Sequence, residues 1–376
     1  MKMRAAVLYE QGKPRPFAES RPLVVETVDL DPPGPDEVLV ELRAAGLCHS
    51  DLSSIDGVRK RDMPMVPGHE AAGIVREVGA GVVEAVPGDH VVMSFVSTCG
   101  HCEPCRSGRP NLCDSHWQAR NTGALLSGAR RLRLGSRFLN HASGISAFAE
   151  YAVVSRHAVI PIDVDIPFED AALFGCAVMT GVGAVVNTAG VAPGCSVAVV
   201  GLGGVGLSAM LGAMLAGARR VIAVDVNAAK LGLARQLGAT DVFDAGDEDC
   251  AAAVREATGG GVDFAFEMAG AVPAMELAYA TLRRGGTVVS AGLSDHRLSF
   301  SVPHAAMVSD EKTIKGSYMG SCVPRRDVPR FLALYRDGRL PVDRLRSGNI
   351  GLEDLNAGFD RLADGDAIRQ ILTPHA

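Results

Sequence analysis

The pattern of hydrophobic and polar positions changes near residue 180. Before it, short apolar runs such as Glu37–Arg43 and Gly73–Val78 are separated by frequent Gly and Pro turns, which predicts a compact antiparallel β domain. After it, strand-like and helical stretches alternate, which is typical of a parallel sheet covered on both faces. The predicted strands are Ser196–Val200, Arg220–Asp225, Asp241–Phe243, Val262–Glu267 and Thr287–Ala291, and the predicted helices are Leu207–Ala218, a segment from Asn227 to Gly238, 249–257 and 273–283.

This change of pattern predicts two domains in an α/β protein. The residues after about 320 show no strand–helix alternation, so we expect them to fold back onto the first domain. The sequence thus predicts a mainly β domain from residues 1–178 and 320–376, and a Rossmann doubly wound parallel-sheet domain from residues 179–319. Residues 96–140, rich in Cys, Gly and Arg, are predicted to be irregular and to need an anchor of their own.

Composition and charge exclude several classes of protein. With 47% hydrophobic and 21% charged residues the chain resembles an ordinary globular protein, and its net charge of −6 gives no reason to expect a nucleic-acid or membrane partner. Residues 171–218 carry no formal charge, but Pro193 and many glycines divide them into pieces too short to span a membrane. The apolar run near the N-terminus ends at Glu10, too early for a signal peptide, so we expect a cytoplasmic protein.

A glycine-rich turn follows the predicted strand Ser196–Val200 and opens a helix. It reads Gly201-Leu202-Gly203-Gly204-Val205-Gly206, and Asp225 ends the next strand. Glycines at these positions allow a tight turn, close approach of a pyrophosphate and close helix–strand packing. The carboxylate of Asp225 can bind a ribose and would repel a 2′-phosphate, which favours NAD over NADP. The alternative is a structural turn with Asp225 as a helix cap.

Four cysteines lie close together in the sequence. Cys99, Cys102, Cys105 and Cys113 form a C-x2-C-x2-C-x7-C pattern, in which four thiolates can surround one tetrahedral zinc. Because such a site has no open position, we expect this zinc to be structural. Free surface cysteines and an iron–sulfur cluster remain alternatives, although the spacing matches neither ferredoxin pattern.

Three further metal-ligand candidates are dispersed, and spacing alone does not connect them. They are Cys48, His69 and Cys176, each of which could equally be a buried core residue. The motifs around them resemble those of the zinc-dependent medium-chain alcohol dehydrogenases, over nearly the whole chain. The motifs that carry this resemblance are GLCHSD at 46–51, GHEAAG at 68–73, the four-cysteine loop, GCAVMTGVG at 175–183, GLGGVGLS at 201–208 and IRQIL at 368–372.

The resemblance implies a GroES-like catalytic domain and two zinc ions per subunit. Cys48, His69 and Cys176 would hold a catalytic zinc with one open position. Within the family the chain resembles the class III-like and bacterial members. Asp51 would orient His69, and Glu70 would lie behind the metal. The implied reaction is reversible oxidation of a primary or secondary alcohol, with hydride passing to NAD.

The resemblance also implies roles for residues that contact substrate or cofactor. Ser50 would hydrogen-bond the substrate oxygen and pass its proton towards solvent. Many family members have a histidine three residues after this serine, whereas this chain has Ser53, so the proton relay is expected to depend less on a single base. The implied cofactor contacts are Thr180 and Val205 at the nicotinamide, Lys230 near the ribose, and His49 and Arg369 at the pyrophosphate.

The substrate pocket implied by the resemblance contains small residues. Phe95 would line it, while Ala142 and Ser143 stand where relatives often have bulkier side chains. The remaining space predicts that branched or aromatic alcohols are accepted. Pairing of two copies through edge strands at Leu298–Val302 and Thr313–Tyr318 would give a homodimer, with a tetramer as the alternative.

Two other functions remain open. One is S-(hydroxymethyl)glutathione (formaldehyde) dehydrogenase, a branch of the same family that uses an arginine shortly after the last cysteine of the loop. Here that stretch is Asp114–Trp117, and the first arginine is Arg120. The other is a non-catalytic, redox-sensing protein that binds NAD and zinc.

Overall fold

The computed structural model describes all 376 residues. Its strands are β1 Lys2–Leu8, β2 Leu23–Leu30, β3 Glu37–Gly46, β4 Met65–Val66, β5 Ala71–Val78, β6 His90–Met93, β7 Leu132–Leu134, β8 Arg137–His141, β9 Tyr151–Ser155, β10 Val159–Ile162, β11 Ser196–Val200, β12 Arg220–Asp225, β13 Asp241–Asp244, β14 Val262–Glu267, β15 Leu282–Ser290, β16 Thr313–Gly316, β17 Arg346–Ile350 and β18 Arg369–Leu372.

The helices are α1 Phe17–Ser20, α2 His49–Ile55, α3 Glu103–Arg106, α4 Asp114–Asn121, α5 Phe168–Leu173, α6 Ala177–Gly183, α7 Gly204–Leu215, α8 Ala228–Leu237, α9 Cys250–Ala257, α10 Val272–Ala280, α11 His304–Ser309, α12 Pro324–Arg336 and α13 Leu355–Asp364. A π-helical segment, Ala184–Ala189, follows α6 directly. Short 3-10 segments lie at Pro110–Leu112, Met319–Ser321, Val342–Leu345 and Leu352–Asp354. No helix is both long enough and apolar enough to span a membrane.

The chain divides into two compact units. The first contains residues Met1–Cys176, Val323–Ala333 and Val342–Ala376, and the second contains Ala177–Cys322 and Leu334–Pro341.

The first unit is built from a closed barrel and a seven-stranded sheet. The barrel has the order β1-β2-β7-β8-β4, and the sheet has the order β10-β6-β5-β3-β18-β17, with β9 also pairing with β3. Its strands are mostly antiparallel and enclose an apolar core that includes the fully buried Val40, Leu42 and Phe148. This agrees with the predicted mainly β domain. Of the residues after 320, Val323–Ala333 and Val342–Ala376 belong to this unit, where β18 pairs with β3 at Ile371–Gly46 and Leu372–Ala45, whereas Leu334–Pro341 belong to the second unit.

The second unit is a six-stranded parallel sheet in the order β13-β12-β11-β14-β15-β16. This order is that of the doubly wound dinucleotide-binding fold, with the switch point beside β11. The α/β fold class predicted from the sequence is thereby confirmed. Residues such as Ala198, Ile222 and Ala265 are fully buried, because helices cover both faces of a parallel sheet.

Several local predictions in this unit are correct to the residue. The strands Ser196–Val200, Arg220–Asp225 and Val262–Glu267 are found as predicted. Asn227 caps α8 by accepting hydrogen bonds from the backbone N–H groups of Ala229 and Lys230. Gly238, at φ 108°, ends the helix in the left-handed conformation that favours glycine.

Other predictions need correction. Leu298–Val302 is not a strand: Leu298 closes a turn through a backbone hydrogen bond to Asp295, and Pro303 leads directly into α11. The segment 96–140 is less irregular than expected, because it contains α3, α4, β7 and β8. Helix α7 begins at Gly204 rather than Leu207, and β15 begins at Leu282 rather than Thr287.

Candidate functional site

The dispersed candidates Cys48, His69 and Cys176 come together in the first unit. All three side chains are buried, and their ligand atoms lie within 4.8 Å of one another. Cys176 Sγ lies 3.4 Å from His69 Nε2. A tetrahedral zinc with bonds of about 2.0–2.3 Å needs ligand atoms about 3.5–3.8 Å apart, so two thiolates and one imidazole here fit that metal. Spacing in the sequence did not predict this meeting.

Local backbone features place each of the three ligands. Cys48 has extended backbone angles and stands between β3 and α2 as the N-cap of that helix. His69 follows Gly68, whose φ of 91° and contact with the Phe148 backbone exclude a side chain. Cys176 follows Gly175, where a Cβ would lie only 2.4 Å from the carbonyl oxygen of Met93. Both glycines therefore bring ligand-bearing segments close to neighbouring backbone.

Asp51 orients the imidazole of His69. Its Oδ1 lies 3.0 Å from His69 Nδ1 and also accepts a hydrogen bond from the backbone N–H of Gly68. A proton held on Nδ1 leaves Nε2 free as a metal ligand, which is the arrangement that carboxylates give to ligating histidines by accepting from the other ring nitrogen. This geometry matches the role that the resemblance implied for Asp51.

A buried ion pair lies behind the same three ligands. Arg369 donates from one guanidinium nitrogen to Glu70 Oε2 at 3.2 Å and to the carbonyl oxygen of Leu47 at 2.9 Å. Both charged side chains are almost fully buried, so each depends on the other for compensation. The resemblance implied that Glu70 lies behind the metal and that Arg369 contacts the pyrophosphate, but not that the two side chains pair; both roles stay predictions.

The charges around the site favour a thiolate at Cys48. Its pKa lies well below the ordinary value, because it accepts a hydrogen bond from the Cys176 thiol and faces the positive charge of Arg369. Burial opposes this effect but does not outweigh it. Metal binding requires deprotonated cysteine, so the surroundings prepare Cys48 for a divalent cation, whereas the hydrogen bond to Cys48 and burial raise the pKa of the Cys176 thiol.

The four-cysteine loop forms a second cluster of metal ligands. Cys99, Cys102, Cys105 and Cys113 have all four sulfur atoms within 4.8 Å of one another. The Cys99–Cys105 and Cys102–Cys113 sulfur distances are 4.0 Å and 3.9 Å, close to the roughly 3.8 Å that a tetrahedral zinc–thiolate site requires. Backbone N–H groups of Cys99 and Cys102 also point at sulfur atoms of the cluster. Four protein sulfurs leave no position for substrate.

The glycine-rich turn of the second unit has the geometry of a phosphate-binding turn. Gly201 has φ 92°, and a Cβ on Gly206 would lie 1.8 Å from the carbonyl oxygen of Gly201. A Cβ on Gly203 would contact nothing within 4 Å, which leaves the backbone open to a ligand. Asp225 accepts hydrogen bonds from the backbone N–H groups of Leu202 and Asn227, so its carboxylate is fixed beside the turn.

The remaining cofactor candidates have defined positions, and their roles stay predictions. Thr180 is buried in α6, and the neighbouring Gly181 packs so closely on α7 that a Cβ would lie 2.3 Å from the carbonyl oxygen of Val205. Lys230 lies in the first turn of α8, after Asn227. In the first unit, His49 is exposed and Ser50 half-buried, both in the first turn of α2.

Sequence reasoning missed His141 and Ser146, which contact each other at the segment that we call the candidate pocket loop, residues 142–146. The ring of Phe95 meets that of His69 edge to face, with centroids 5.6 Å apart. Ala142 and Ser143 lie in the loop, and Ser143 has φ 51°. Ser146 accepts a hydrogen bond from the backbone N–H of Ala142 and lies 3.3 Å from His141 Nδ1. A buried polar pair of this kind leaves no sequence signal beyond one histidine and one serine.

His141 should make the stability of the protein depend on pH. Burial lowers the pKa of His141 to about 4, below the ordinary 6.5. Between these two pH values the imidazole is protonated in the unfolded chain but not in the folded one. Stability is then complete above pH 6.5 and is lost as the pH falls towards 4, by roughly 3 kcal/mol at about 1.4 kcal/mol per pKa unit. Denaturant unfolding of wild type and His141→Gln between pH 8 and 4 should show a flatter profile for the variant. An exposed control, His304→Gln, should retain the wild-type profile; equal profiles for all three proteins would contradict the assignment.

Comparison with known proteins agrees with this geometry. Residues 34–164 match the model of the alcohol dehydrogenase GroES-like domain, and residues 204–337 match that of the zinc-binding dehydrogenase family. The chain is 40% identical to the NDMA-dependent alcohol dehydrogenase of Amycolatopsis methanolica, with 99% of each chain covered. It is 38% identical to the S-(hydroxymethyl)glutathione dehydrogenase of Synechocystis, with 99% of this chain and 100% of the relative covered.

A solved structure supports the same grouping. The benzyl alcohol dehydrogenase of Acinetobacter calcoaceticus superposes with a TM-score of 0.92 at 32% identity, covering 100% of this chain and 99% of that chain. The chain belongs to the zinc-dependent medium-chain alcohol dehydrogenase family. It is a zinc alcohol dehydrogenase and therefore an oxidoreductase, as the resemblance implied.

Proposed function

We propose that the protein is an NAD-dependent alcohol dehydrogenase with one catalytic and one structural zinc per chain, acting on primary or secondary alcohols, including aromatic and branched ones. The observation that carries the proposal is the buried trio Cys48, His69 and Cys176, whose three ligand atoms leave a fourth tetrahedral position for substrate. The bound zinc would supply a Lewis acid and the nicotinamide a hydride acceptor.

The chain's own residues then have distinct tasks. Cys48 and Cys176 supply negative charge to the metal, while Asp51 holds the proton of His69 on Nδ1. Arg369 and Glu70 form an ion pair that keeps a net charge of zero behind the ligands. Ser50, two residues after Cys48 in the first turn of α2, would accept the proton of the substrate hydroxyl and pass it towards water.

Ser50 and Ser53 provide a matched pair for testing proton transfer. Ser53 already donates its hydroxyl to the carbonyl oxygen of His49, so it is poorly placed to act as the terminal base. We expect Ser50→Ala to lower kcat by about a hundredfold, since general acid–base groups contribute about 10²–10⁴. Ser53→Ala should stay within about twofold of wild type, the scatter usual for a group outside the chemistry. Steady-state kinetics with zinc content measured in each variant decides this; a sharp loss in Ser53→Ala with zinc retained would contradict the proposed relay.

We infer a preference for NAD over NADP from Asp225. Its carboxylate lies at the end of β12 beside the glycine-rich turn, where a 2′-phosphate would meet a fixed negative charge. Asp225→Asn keeps an oxygen acceptor but removes the charge. We expect it to reduce the ratio of kcat/KM for NAD over NADP by about tenfold or more, which corresponds to about 1.4 kcal/mol. A variant that keeps the wild-type ratio would show that Asp225 does not discriminate between the cofactors.

The size of the residues in the pocket loop supports aromatic and branched substrates. Ala142 and Ser143 are small, and Phe95 presents a ring beside His69. The structural relative named as a benzyl alcohol dehydrogenase is consistent with such a pocket. The test is a panel of ethanol, isobutanol, benzyl alcohol and cyclohexanol. We expect kcat/KM for benzyl alcohol at least equal to that for ethanol; a wide advantage for ethanol would exclude the roomy pocket.

One experiment tests the proposed function as a whole. The purified protein is analysed for zinc and assayed with the alcohol panel and NAD, NADP or NDMA. NDMA is included because the Amycolatopsis methanolica relative is named as an NDMA-dependent enzyme. We expect about two zinc per chain and NADH formation with NAD. Absence of turnover with every acceptor, with both zinc ions present, would favour the alternative of a non-catalytic protein that binds NAD and zinc.

The alternative substrate S-(hydroxymethyl)glutathione has support from the Synechocystis relative. The stretch after the last cysteine of the loop argues against this substrate, because Asp114–Trp117 contains no arginine that could bind a glutathione carboxylate. Formaldehyde with and without glutathione distinguishes the two. We expect no stimulation by glutathione.

We further infer a homodimer in the cytoplasm, with a tetramer as the alternative. In the second unit β16 is an edge strand, and the exposed apolar side chains of Leu293, Leu298 and Val308 belong to the segments before it. All nine cysteines are free, and zinc–thiolate sites suit a reducing compartment. Light scattering of the purified protein would give the oligomeric state.

A further inference from the structure

Three parallel strands of the second unit end in a continuous row of hydrogen bonds. Glu267, the last residue of β14, accepts from the Ser290 hydroxyl and from the backbone N–H of Gly270, both at 2.6 Å. Ser290, the last residue of β15, accepts through its carbonyl oxygen from the backbone N–H of Ser317 at 2.8 Å. Ser317 in turn directly follows β16. The row therefore runs along the carboxyl ends of β14, β15 and β16.

The hydroxyl of Thr188 continues this row. Its Oγ1 lies 2.9 Å from Ser317 Oγ and 2.8 Å from Ser321 Oγ, so it can donate to one hydroxyl and accept from the other. Thr188 belongs to the π-helical segment Ala184–Ala189, and the preceding Asn187 donates to the carbonyl oxygen of Gly320. Single π-helical turns are rare and occur often at functional sites.

The segment that Thr188 contacts has an unusual backbone. Met319, Gly320 and Ser321 are consecutive and all left-handed, with φ of 52°, 62° and 50°. For residues other than glycine this conformation is unfavourable, so surrounding contacts must hold it. A Cβ on Gly320 would lie 2.2 Å from the carbonyl oxygen of Met179, so this turn packs directly on α6. We call residues 319–321 the left-handed turn.

The position of the turn relates it to one half of a dinucleotide. In doubly wound sheets the ligand lies across the carboxyl ends of the strands, on both sides of the switch point. Here the glycine-rich turn follows β11, and Asp225 ends β12 on the side of β13. The adenosine ribose would bind on the side of β12 and β13. The strands on the other side of β11 are β14, β15 and β16, and the left-handed turn follows the last of them.

We propose that Thr188 is a positioning residue for the nicotinamide half of the cofactor. By bridging Ser317 and Ser321, the Thr188 hydroxyl holds the left-handed turn in the conformation to which the nicotinamide half binds. This inference rests on the proposed function, because it requires a nicotinamide dinucleotide in the second unit. The adenosine half lies beyond β11 and does not depend on Thr188.

Two ligands separate the halves experimentally. NADH carries both halves, whereas ADP-ribose lacks the nicotinamide. Their dissociation constants are measured on the zinc-loaded full chain for wild type, Thr188→Val and Thr188→Ser. Valine keeps the shape but removes the hydroxyl, and serine restores it. We expect Thr188→Val to weaken NADH binding about tenfold, a loss of about 1.4 kcal/mol, and to leave ADP-ribose binding within about twofold.

Kinetics and a second variant complete the test. KM for NAD should rise more than kcat falls in Thr188→Val, and Thr188→Ser should recover most of the loss. If Thr188→Val does not fold, Ser321→Gly replaces it, because glycine accepts the φ of 50° while removing the second hydroxyl. Equal weakening of both ligands, or NADH binding that stays at the wild-type level, would overturn the role of Thr188. Wild-type protein that binds neither ligand would instead refute the proposed function.

Discussion

Replacing Cys48 with Ala is expected to reduce the zinc content from two to one per chain and to lower kcat/KM for alcohols by at least about a thousandfold, which is about 4 kcal/mol. The remaining ligands, His69 and Cys176, cannot complete a tetrahedral site, and the buried ion pair of Glu70 and Arg369 stays in place without the thiolate it faces. Zinc analysis and steady-state kinetics on the same preparation measure both effects.

The matched control is Cys195→Ala. Cys195 is half-buried in the second unit and belongs to neither cluster of metal ligands. We expect it to retain two zinc ions and the activity of the wild type within about twofold. A Cys48→Ala variant that kept both zinc ions, or that lost zinc without losing activity, would remove this site from the mechanism.

The second large effect concerns stability rather than chemistry. Cys105→Ala should also lower the zinc content to one per chain, but through the four-cysteine cluster. Structural zinc contributes folding free energy, so its loss should lower Tm, by no more than about 2–4 °C for each kcal/mol lost in a chain of this length. The segment from Cys99 to α4 depends on this anchor, because it has few buried apolar side chains of its own.

The two cysteine variants should separate activity from stability. At temperatures well below its Tm, Cys105→Ala should keep kcat within about threefold of wild type. A zinc ion held by the four-cysteine cluster has no open position for substrate and so takes no part in the reaction. Thermal unfolding and kinetics at 15 °C test this. An unchanged Tm with one zinc lost would show that the loop does not need the metal; a loss of activity as large as that of Cys48→Ala would contradict the division of roles.

The second unit was predictable because its signals are local. The strand β11, the glycine-rich turn and Asp225 lie within 30 residues of one another, and each constrains the backbone or the cofactor directly. Asn227 and Gly238 mark the ends of α8 for equally local reasons. The strand predicted at Leu298–Val302 was wrong because a local pattern was its only support. Its alternation of apolar and polar residues is typical of a strand, but the turn at Asp295 and the following Pro303 prevent pairing.

The meeting of Cys48, His69 and Cys176 could not be derived from spacing. Cys48 and Cys176 are far apart in the chain, and they meet because Gly68 and Gly175 allow close approach of separate segments. Only the family motifs indicated the meeting. Thr188 and His141 left no signal at all, since the importance of one hydroxyl or one imidazole depends on which segments surround it in the folded chain.

The central claim is that three distant residues bind one metal and leave it accessible to substrate. Anomalous diffraction at the zinc edge from crystals of the protein tests this most directly. We predict two peaks per chain, one of them about 2.3 Å from the sulfur atoms of Cys48 and Cys176 and about 2.0–2.1 Å from His69 Nε2, with a water or alcohol oxygen as the fourth ligand. A missing peak at these residues, or a fourth protein side chain that closes the site in the presence of substrate, would contradict the account.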